Sequence, residues 1–486
     1  MTHWLIEALV AFNVFMLVYL AVLDTVYTGL VLIGWRAVEG YVRRRPLRDY
    51  ATVATSELSM PVSILSPAYN EEAVIVPSVR SLLESQFVEL EVVIINDGST
   101  DGTLAALQRE FDLVKVERIP RANLPTKPVR GVYICPHDPR VVVIDKENGG
   151  KADSLNAGIR YAVYPLFCAI DADTMLDPGA LSRLVWEFQA SPETVAAGGI
   201  VRVINGSDVR DGKLVEVKMP RGLLVNMQIV EYLRAFLGGR IAWSRLGMLL
   251  IISGAFGLFR RDVVVEAGGY DTTTVGEDAE LILRLHRLRR EQRKPCRITF
   301  FPDPICWTEA PSSLRVLTRQ RDRWQRGLIE MLLRHRRMLL RPRYGVVGML
   351  ALPYFVIFEL LGPAIEVVGY VSIAVSLALG VISPTFVLVF LALSVCYGMA
   401  LSFCVVLMEE RAFRRYPDWR CLRRLVLAAL VENFGYRQLM ALVRARAWWT
   451  ILRRGDGWGE MTRVGFGPTA PTPEVDPVAT PSSASV

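Results

Sequence analysis

From Ala8 to Trp35 the sequence carries a single charge, Asp24, and from Pro384 to Met408 it carries none. At 1.5 Å per residue each run is long enough, as a helix, to cross the ~30 Å hydrocarbon core of a bilayer. Only a helix or a closed barrel satisfies its own backbone there, so these two runs dictate spanning helices and confine the rest of the chain around them. Arginines cluster after both: Arg36, Arg43, Arg44, Arg45 and Arg48 after the first, Arg411, Arg414, Arg415 and Arg420 after the second. The positive-inside rule puts those ends in the cytoplasm and the N-terminus outside. No basic region precedes the first run and no small-residue cleavage site follows it, so a removable signal peptide is not expected.

The remaining apolar segments are less regular. Gly345 to Ile382 holds Glu359 and Glu366 and is broken by Pro353 and Pro363. It reads as an interfacial segment over 331–361 followed by a span from Gly362 to Ile382, which pairs with the next span as a helix pair over 362–410. Leu425 to Val443 contains Glu432, Asn433 and Arg437. Spanning would carry Arg444, Arg446, Arg453 and Arg454 outside, so 411–465 is expected to be a basic interfacial or re-entrant region. Leu223 to Leu258, interrupted by Glu231, Arg234, Arg240 and Arg245, reads as an amphipathic helix on the membrane or under the soluble domain. The Pro, Thr, Ser and Ala of 466–486 predict a disordered tail. The net charge of +7 follows the arginines that flank apolar segments, which points to a membrane surface and not to nucleic acid. Seven cysteines without a Cys-x-x-Cys pair and four scattered histidines indicate neither a zinc site nor a disulfide framework.

Between the 1–45 anchor and the later spans, residues 59–330 change character. Short β-branched runs at Val62 to Leu65, Val92 to Ile95, Val141 to Ile144 and Phe167 to Ile170 alternate with helical patterns, and each ends at a polar or acidic residue. That pattern predicts an α/β domain with a parallel sheet whose strand ends open onto a ligand crevice. The Pro-rich stretch from Arg118 to Arg140 is expected to be a surface loop.

Chemistry-bearing residues stand at those strand ends. The first strand runs into Tyr69-Asn70-Glu71, where Asn70 suits a helix N-cap. Asp97 ends the second strand and can accept hydrogen bonds from a base or ribose. Gly149-Gly150-Lys151 allows close backbone approach and places a Lys within reach of a phosphate, without the spacing of a Walker loop. After the fourth strand come Asp171 and Asp173, whose side chains would share one face of an extended segment and face one divalent cation. Glu277 and Asp278 open a helical run to Leu288; acidic residues there suit the helix dipole, and Asp278 also suits a general base. Last comes Gln320-Arg321-Asp322-Arg323-Trp324, able to clamp a diphosphate and offer an aromatic platform to a sugar, or to snorkel as a basic helix face.

Taken in this order, from about Pro61 to Gly327, these motifs resemble the membrane-integrated, inverting family-2 glycosyltransferases of GT-A fold. Those enzymes include cellulose, hyaluronan, chitin-oligosaccharide and poly-N-acetylglucosamine synthases. The resemblance implies a Rossmann-like, mostly parallel cytosolic domain between N-terminal and C-terminal transmembrane helices, on a multi-pass protein of the cell membrane. It implies Tyr69, Glu71, Asp97, Lys151 and Asp171 around a nucleotide, UDP first, and Asp171 with Asp173 holding Mg²⁺ or Mn²⁺. Asp278 would be the base, with Glu277, Gln320, Arg323 and Trp324 at the diphosphate and acceptor end. Gly276 stands before Glu277 where these synthases often have Thr. The implied reaction moves a sugar from a nucleotide diphosphate to a growing polysaccharide, forming β-linkages. A transferase adding one sugar to a lipid carrier would need the same residues, and an inactive binding or transport subunit would not need its carboxylates. An NAD-dependent oxidoreductase would need a glycine fingerprint that the first strand lacks. Glu359 and Glu366, near one helix face, would pair with Arg437 or line a polymer exit path, which a homo-oligomer or accessory subunit would complete.

Overall fold

The computed structural model of the protein describes residues 2–210, 213–413 and 418–452. The expected tail at 466–486, and Arg414, Arg415, Arg453 and Arg454, lie outside the described residues.

Twelve strands are present among them. In chain order they are β1 Val62–Ala68, β2 Leu90–Asp97, β3 Val114–Val116, β4 Val129–Ile134, β5 Val141–Lys146 and β6 Leu166–Ile170. Then follow β7 Met175–Leu176, β8 Thr194–Val203, β9 Asp208–Arg210, β10 Lys213–Glu216, β11 Phe256–Arg260 and β12 Arg297–Thr308. Ten of them form one sheet in the order β3-β4-β5-β2-β1-β6-β11-β8-β12-β7, while β9 and β10 form a separate ribbon. The four expected strands are the parallel block β5-β2-β1-β6. Every residue of β2, β5 and β6 is buried, which is why they read as unbroken β-branched and aliphatic runs: helices cover both faces. Beyond β6 the sheet turns mixed, with β11 antiparallel to both neighbours and β12 parallel to β8. The Arg118–Arg140 stretch is not all loop, because β4 lies inside it and pairs antiparallel with β3 and β5.

The N-terminal helix Thr2–Arg44 has 43 residues, about 65 Å at 1.5 Å per residue. That is about twice the hydrocarbon thickness, so part of it extends past the bilayer. At its C-terminal end Tyr41 donates to Asp303 of β12 at 2.5 Å, fastening the helix to the α/β domain. Two helical stretches are long and apolar enough to cross a membrane, His3–Leu47 and Pro384–Ala412. A third candidate is the pair Val347–Leu360 and Gly362–Ala378, bent by 41°. The bend falls at Leu361, between the π-turn Phe355–Leu360 and Pro363, which interrupt the hydrogen-bond ladder.

The apolar stretch at 223–258 is helical only to Arg245. Leu223–Leu233, the π-turn Arg234–Arg240 and Ile241–Arg245 run continuously, and the chain then loops into β11. This helix is packed inside the molecule, with the N-terminal helix against its π-turn and the helix Trp419–Val431 along Leu223–Leu233. Ion pairs tie neighbouring helices to it and to the sheet: Arg234 with Glu432, at the end of the helix Trp419–Val431, at 2.5 Å, and Arg202 of β8 with Glu409 of the candidate span Pro384–Ala412 at 2.6 Å.

Candidate active site

The carboxyl ends of β1, β2, β5 and β6 lie side by side, and the residues that follow them form the crevice. The expected N-cap role of Asn70 is not what the structure shows. The next helix begins at Ile75, and Asn70 adopts a positive φ of 55°. Its side chain accepts from the Thr100 amide at 2.8 Å while its own amide donates to Ser99 at 3.0 Å, lacing the loop after β1 to the loop after β2. This leaves Tyr69 half exposed at the rim, with the Glu71 amide donating to Thr103 at 2.9 Å.

Asp97 faces inward. Its carboxylate accepts from Lys146 at 2.5 Å and from the amides of Gly149 at 3.0 Å and Gly150 at 2.7 Å. Lys146, 0% exposed at the end of β5, also pairs with Asp153 at 2.7 Å. Asp97 thereby shapes the turn that delivers Lys151, a turn that needs the positive φ of 85° at Gly150. The sequence reading does not include Lys146 and Asp153 in the site; the available signal is the charged pair Asp145-Lys146 closing the apolar run Val141 to Ile144.

Lys151 begins the helix Lys151–Tyr161, bonds Asp171 and donates to the Gly254 carbonyl at 2.9 Å. Burial alone would pull its pKa down, but Asp171, Glu277 and Asp278 outweigh that and hold it above the ordinary lysine value. Asp171 and Asp173 do not alternate along an extended strand as expected. β6 ends at Ile170, and the Thr174 amide donates to the Asp171 carbonyl at 3.0 Å, closing a tight turn that holds both half-buried carboxylates at the strand's end. These are hard oxygen donors beside the crevice, which fits a small divalent cation. Among the described residues no group of three or more metal-ligating side chains converges, so the two would supply only part of a coordination shell.

Glu277 and Asp278 open the helix Glu277–Glu291 and, with Lys151, Ser253, Gly254 and Tyr270, line one cleft. Burial pushes the Glu277 carboxyl up to about 7, with Lys151 opposing and Asp278 and Asp171 adding to the rise. Asp278 keeps one oxygen on the Ala279 amide at 2.8 Å.

The helix Leu314–Arg334 carries Gln320, Arg323 and Trp324 and presses against the loop before Glu277 along one face. Gly327 touches Gly276 backbone to backbone. Glu330 accepts from Thr274 at 2.8 Å and from the Val275 amide at 3.1 Å, and Arg334 donates to Thr273 at 2.9 Å. Trp324 is one turn, about 4.5 Å of rise, before the glycine contact and is 47% exposed. Arg321, by contrast, turns inward to Glu231 and is 3% exposed. On the far side of this helix Gln325 accepts from Arg444 at 2.8 Å, and Arg444 also reaches Glu359 at 2.9 Å. Glu359 therefore pairs with Arg444 and not with Arg437, whose guanidinium donates to Asn433 at 2.9 Å.

The structure thus brings Lys151, Asp171, Glu277 and Asp278 into one charged crevice, with the Gln320–Trp324 helix docked beside it. Residues 63–265 match Glycosyl transferase family 2, and residues 166–404 match Glycosyl transferase family group 2. The chain is 28% identical over 295 residues to a poly-beta-1,6-N-acetyl-D-glucosamine synthase of Staphylococcus epidermidis, covering 60% of this chain and 61% of that one. To the Staphylococcus aureus enzyme of the same name it is 31% identical over 276 residues, 56% of each. The match thus spans about three fifths or less of these relatives' own length. Among solved structures the mannosyltransferase PcManGT of Pyrobaculum calidifontis, in complex with GDP-Man and Mn2+, superposes with a TM-score of 0.52. It is 19% identical and covers 87% of this chain and 99% of that one, a likeness of fold. Sheet, crevice and matched residues agree: residues 63–265 form a domain of the Glycosyl transferase family 2 type.

Proposed function

We propose that the protein transfers N-acetylglucosamine from UDP-N-acetylglucosamine to the end of a growing β-linked glycan, with inversion at the anomeric carbon. The observation that carries this reading is the Asp278 cleft, bounded by Lys151 and Glu277 and abutted by the helix that bears Trp324. The staphylococcal relatives' names supply the sugar and the β-1,6 linkage.

In this reading Tyr69, Glu71 and the Asp97-shaped turn surround the nucleotide. Lys151 swings from Asp171 towards the diphosphate and Arg323 approaches it from the other side, while Gln320 turns with Trp324 towards the acceptor. Asp278 takes the proton of the acceptor hydroxyl as that oxygen attacks the anomeric carbon from the face opposite the nucleotide. The bond to the diphosphate breaks, and Lys151 and Arg323 meet its developing charge in a water-poor cleft. Glu277, beside the base, touches the same donor–acceptor junction. Trp324 offers its exposed indole to the apolar face of the acceptor sugar. Asp171 and Asp173 would hold Mg²⁺ or Mn²⁺, which when bound supplies charge neutralisation at the diphosphate.

The catalytic domain would face the cytoplasm of a multi-pass membrane protein, since Arg36 to Arg48 and Arg411 follow the two candidate spans. A second copy or an accessory membrane subunit would complete an exit path for the product. The test is to incubate purified membranes with labelled nucleotide sugars and Mg²⁺ or Mn²⁺ and to size the products. A ladder of long chains from UDP-N-acetylglucosamine is expected; a single added sugar, or no transfer, overturns the reading.

A further inference from the structure

We propose that Arg321 is a positioning residue for the acceptor: anchored by Glu231, its guanidinium fixes the indole of Trp324 and the amide of Gln320 relative to Asp278. The inference rests on the reading that Trp324 and Gln320 face the acceptor.

Three contacts meet on this one side chain. Its Nη2 donates to Glu231 Oε2 at 3.0 Å, its Nη1 donates to Gln320 Oε1 at 3.0 Å, and its Cζ lies 4.1 Å from the centroid of the Trp324 ring. A guanidinium does this because its edge donates in fixed directions while its flat face remains free to stack; an ammonium lacks both the fork and the plane. A 47%-exposed Trp on a helix surface would otherwise sample several rotamers, and a cation held against one face of the ring selects one. The opposite face and outer edge are then left to a ligand.

The anchor is itself anchored. Glu231 Oε2 also accepts from the Tyr436 hydroxyl at 2.7 Å, and Tyr436 begins the helix Tyr436–Leu452, which packs along the Trp324-bearing helix. Glu231 sits on the buried helix Leu223–Leu233. A path of direct contacts thus runs from Tyr436 through Glu231 and Arg321 to Trp324, so the acceptor platform takes its orientation from elements outside its own helix. A salt bridge serving only to hold the fold would stabilise donor and acceptor functions alike. The stacking on Trp324 and the bond to Gln320 predict a selective effect.

The experiment uses the full chain in lipid nanodiscs, with UDP-N-acetylglucosamine as donor and a β-1,6-linked N-acetylglucosamine pentasaccharide as acceptor probe. Arg321→Met is expected to raise the acceptor KM about tenfold, the size of a lost cation–π contact and its anchor, and to leave UDP affinity unchanged. Arg321→Lys should recover part of that loss. In a Trp324→Ala background, Arg321→Met should add little, because the ring it orients is gone. Should Arg321→Met fail to fold, Glu231→Gln, which loosens the anchor while keeping its shape, should raise the acceptor KM in the same direction. Transfer by the wild type with an unaltered acceptor KM in these variants overturns this inference alone, as do equal losses of UDP affinity or additive effects with Trp324→Ala. Absence of transfer by the wild type from any nucleotide sugar overturns the functional reading and this inference with it.

Discussion

Gly276 and Gly327 meet backbone to backbone: a Cβ built on either would lie 2.9 Å from the other's Cα. Gly276 precedes the Glu277–Asp278 pair, and Gly327 lies one turn beyond Trp324, so this contact sets how close the proposed base comes to the proposed acceptor platform. It also gives the Gly at 276 a reason, since a larger residue there must push the two elements apart.

Gly327→Ala should therefore separate base from platform without touching the nucleotide. Overpacking of this kind costs about 1–3 kcal/mol, and a displacement of the helix should lower transfer at least about tenfold, since transfer depends on reactants held in attack geometry. UDP binding measured calorimetrically should stay unchanged. Equal transfer rates in wild type and variant would show that the helix tolerates the Cβ and that the contact sets nothing.

Asp278→Asn should reduce transfer by about 10²–10⁴-fold, the usual contribution of a general base, while nucleotide affinity is retained. The side chain keeps its shape and its bond to the Ala279 amide, so the helix start is preserved. Radiolabel incorporation beside UDP titration separates the two effects. Incorporation within a few fold of wild type would assign the base elsewhere.

Asp97→Ala should act through the fold of the loop. It strips Lys146 of one carboxylate and the Gly149 and Gly150 amides of their acceptor. Breaking one partner of a buried pair costs about 3–5 kcal/mol. The expected result is a lower melting temperature, together with weaker UDP binding because Lys151 is no longer delivered to the crevice. Weakened UDP binding at unchanged stability would instead place Asp97 directly on the nucleotide.

Much of this arrangement could be read from the chain, for identifiable reasons. The runs at Val62, Val92, Val141 and Phe167 are local patterns that reflect strands buried on both faces, and Asp97, Lys151, Asp171 and Asp278 stand at predictable ends of elements. What could not be read depends on partners distant in sequence. Lys146 is decided by Asp97 and Asp153, and the Gly276–Gly327 contact by the docking of a helix some fifty residues on. The end of β6 at Ile170 was legible, but not the turn after it, whose Asp171 amide donates to the Ala255 carbonyl more than eighty residues later. Arg437 and Arg444 are seven residues apart on one helix, so periodicity puts both near one face and cannot choose between them; Glu359 and Gln325 choose Arg444. Arg321 and Arg323 pose the same difficulty at closer range, where only the position of Glu231 reveals which one turns inward.

His286 supplies the pH dependence of stability. It lies on the helix that begins at Glu277, with Nε2 on the Leu249 carbonyl at 2.9 Å and Nδ1 facing Arg290 at 3.2 Å. The neutral ring satisfies both contacts, donating to the carbonyl and accepting from the guanidinium. Burial, then the Arg290 charge, lowers its pKa to about 4 from an ordinary value of 6.5. Because the folded pKa lies below the unfolded one, the unfolded chain takes up a proton that the folded protein excludes as pH falls from about 6.5 to about 4. Stability is therefore fully present above that window and lost within it, by about 3 kcal/mol for a gap of this size. Melting temperatures of wild type and His286→Gln, measured from pH 7.5 down to 4.5, should converge at the acid end, because glutamine has no proton to gain. Parallel curves across that range would mean that the ring takes up its proton alike in the folded and unfolded chain, and the neutral-ring arrangement would be wrong.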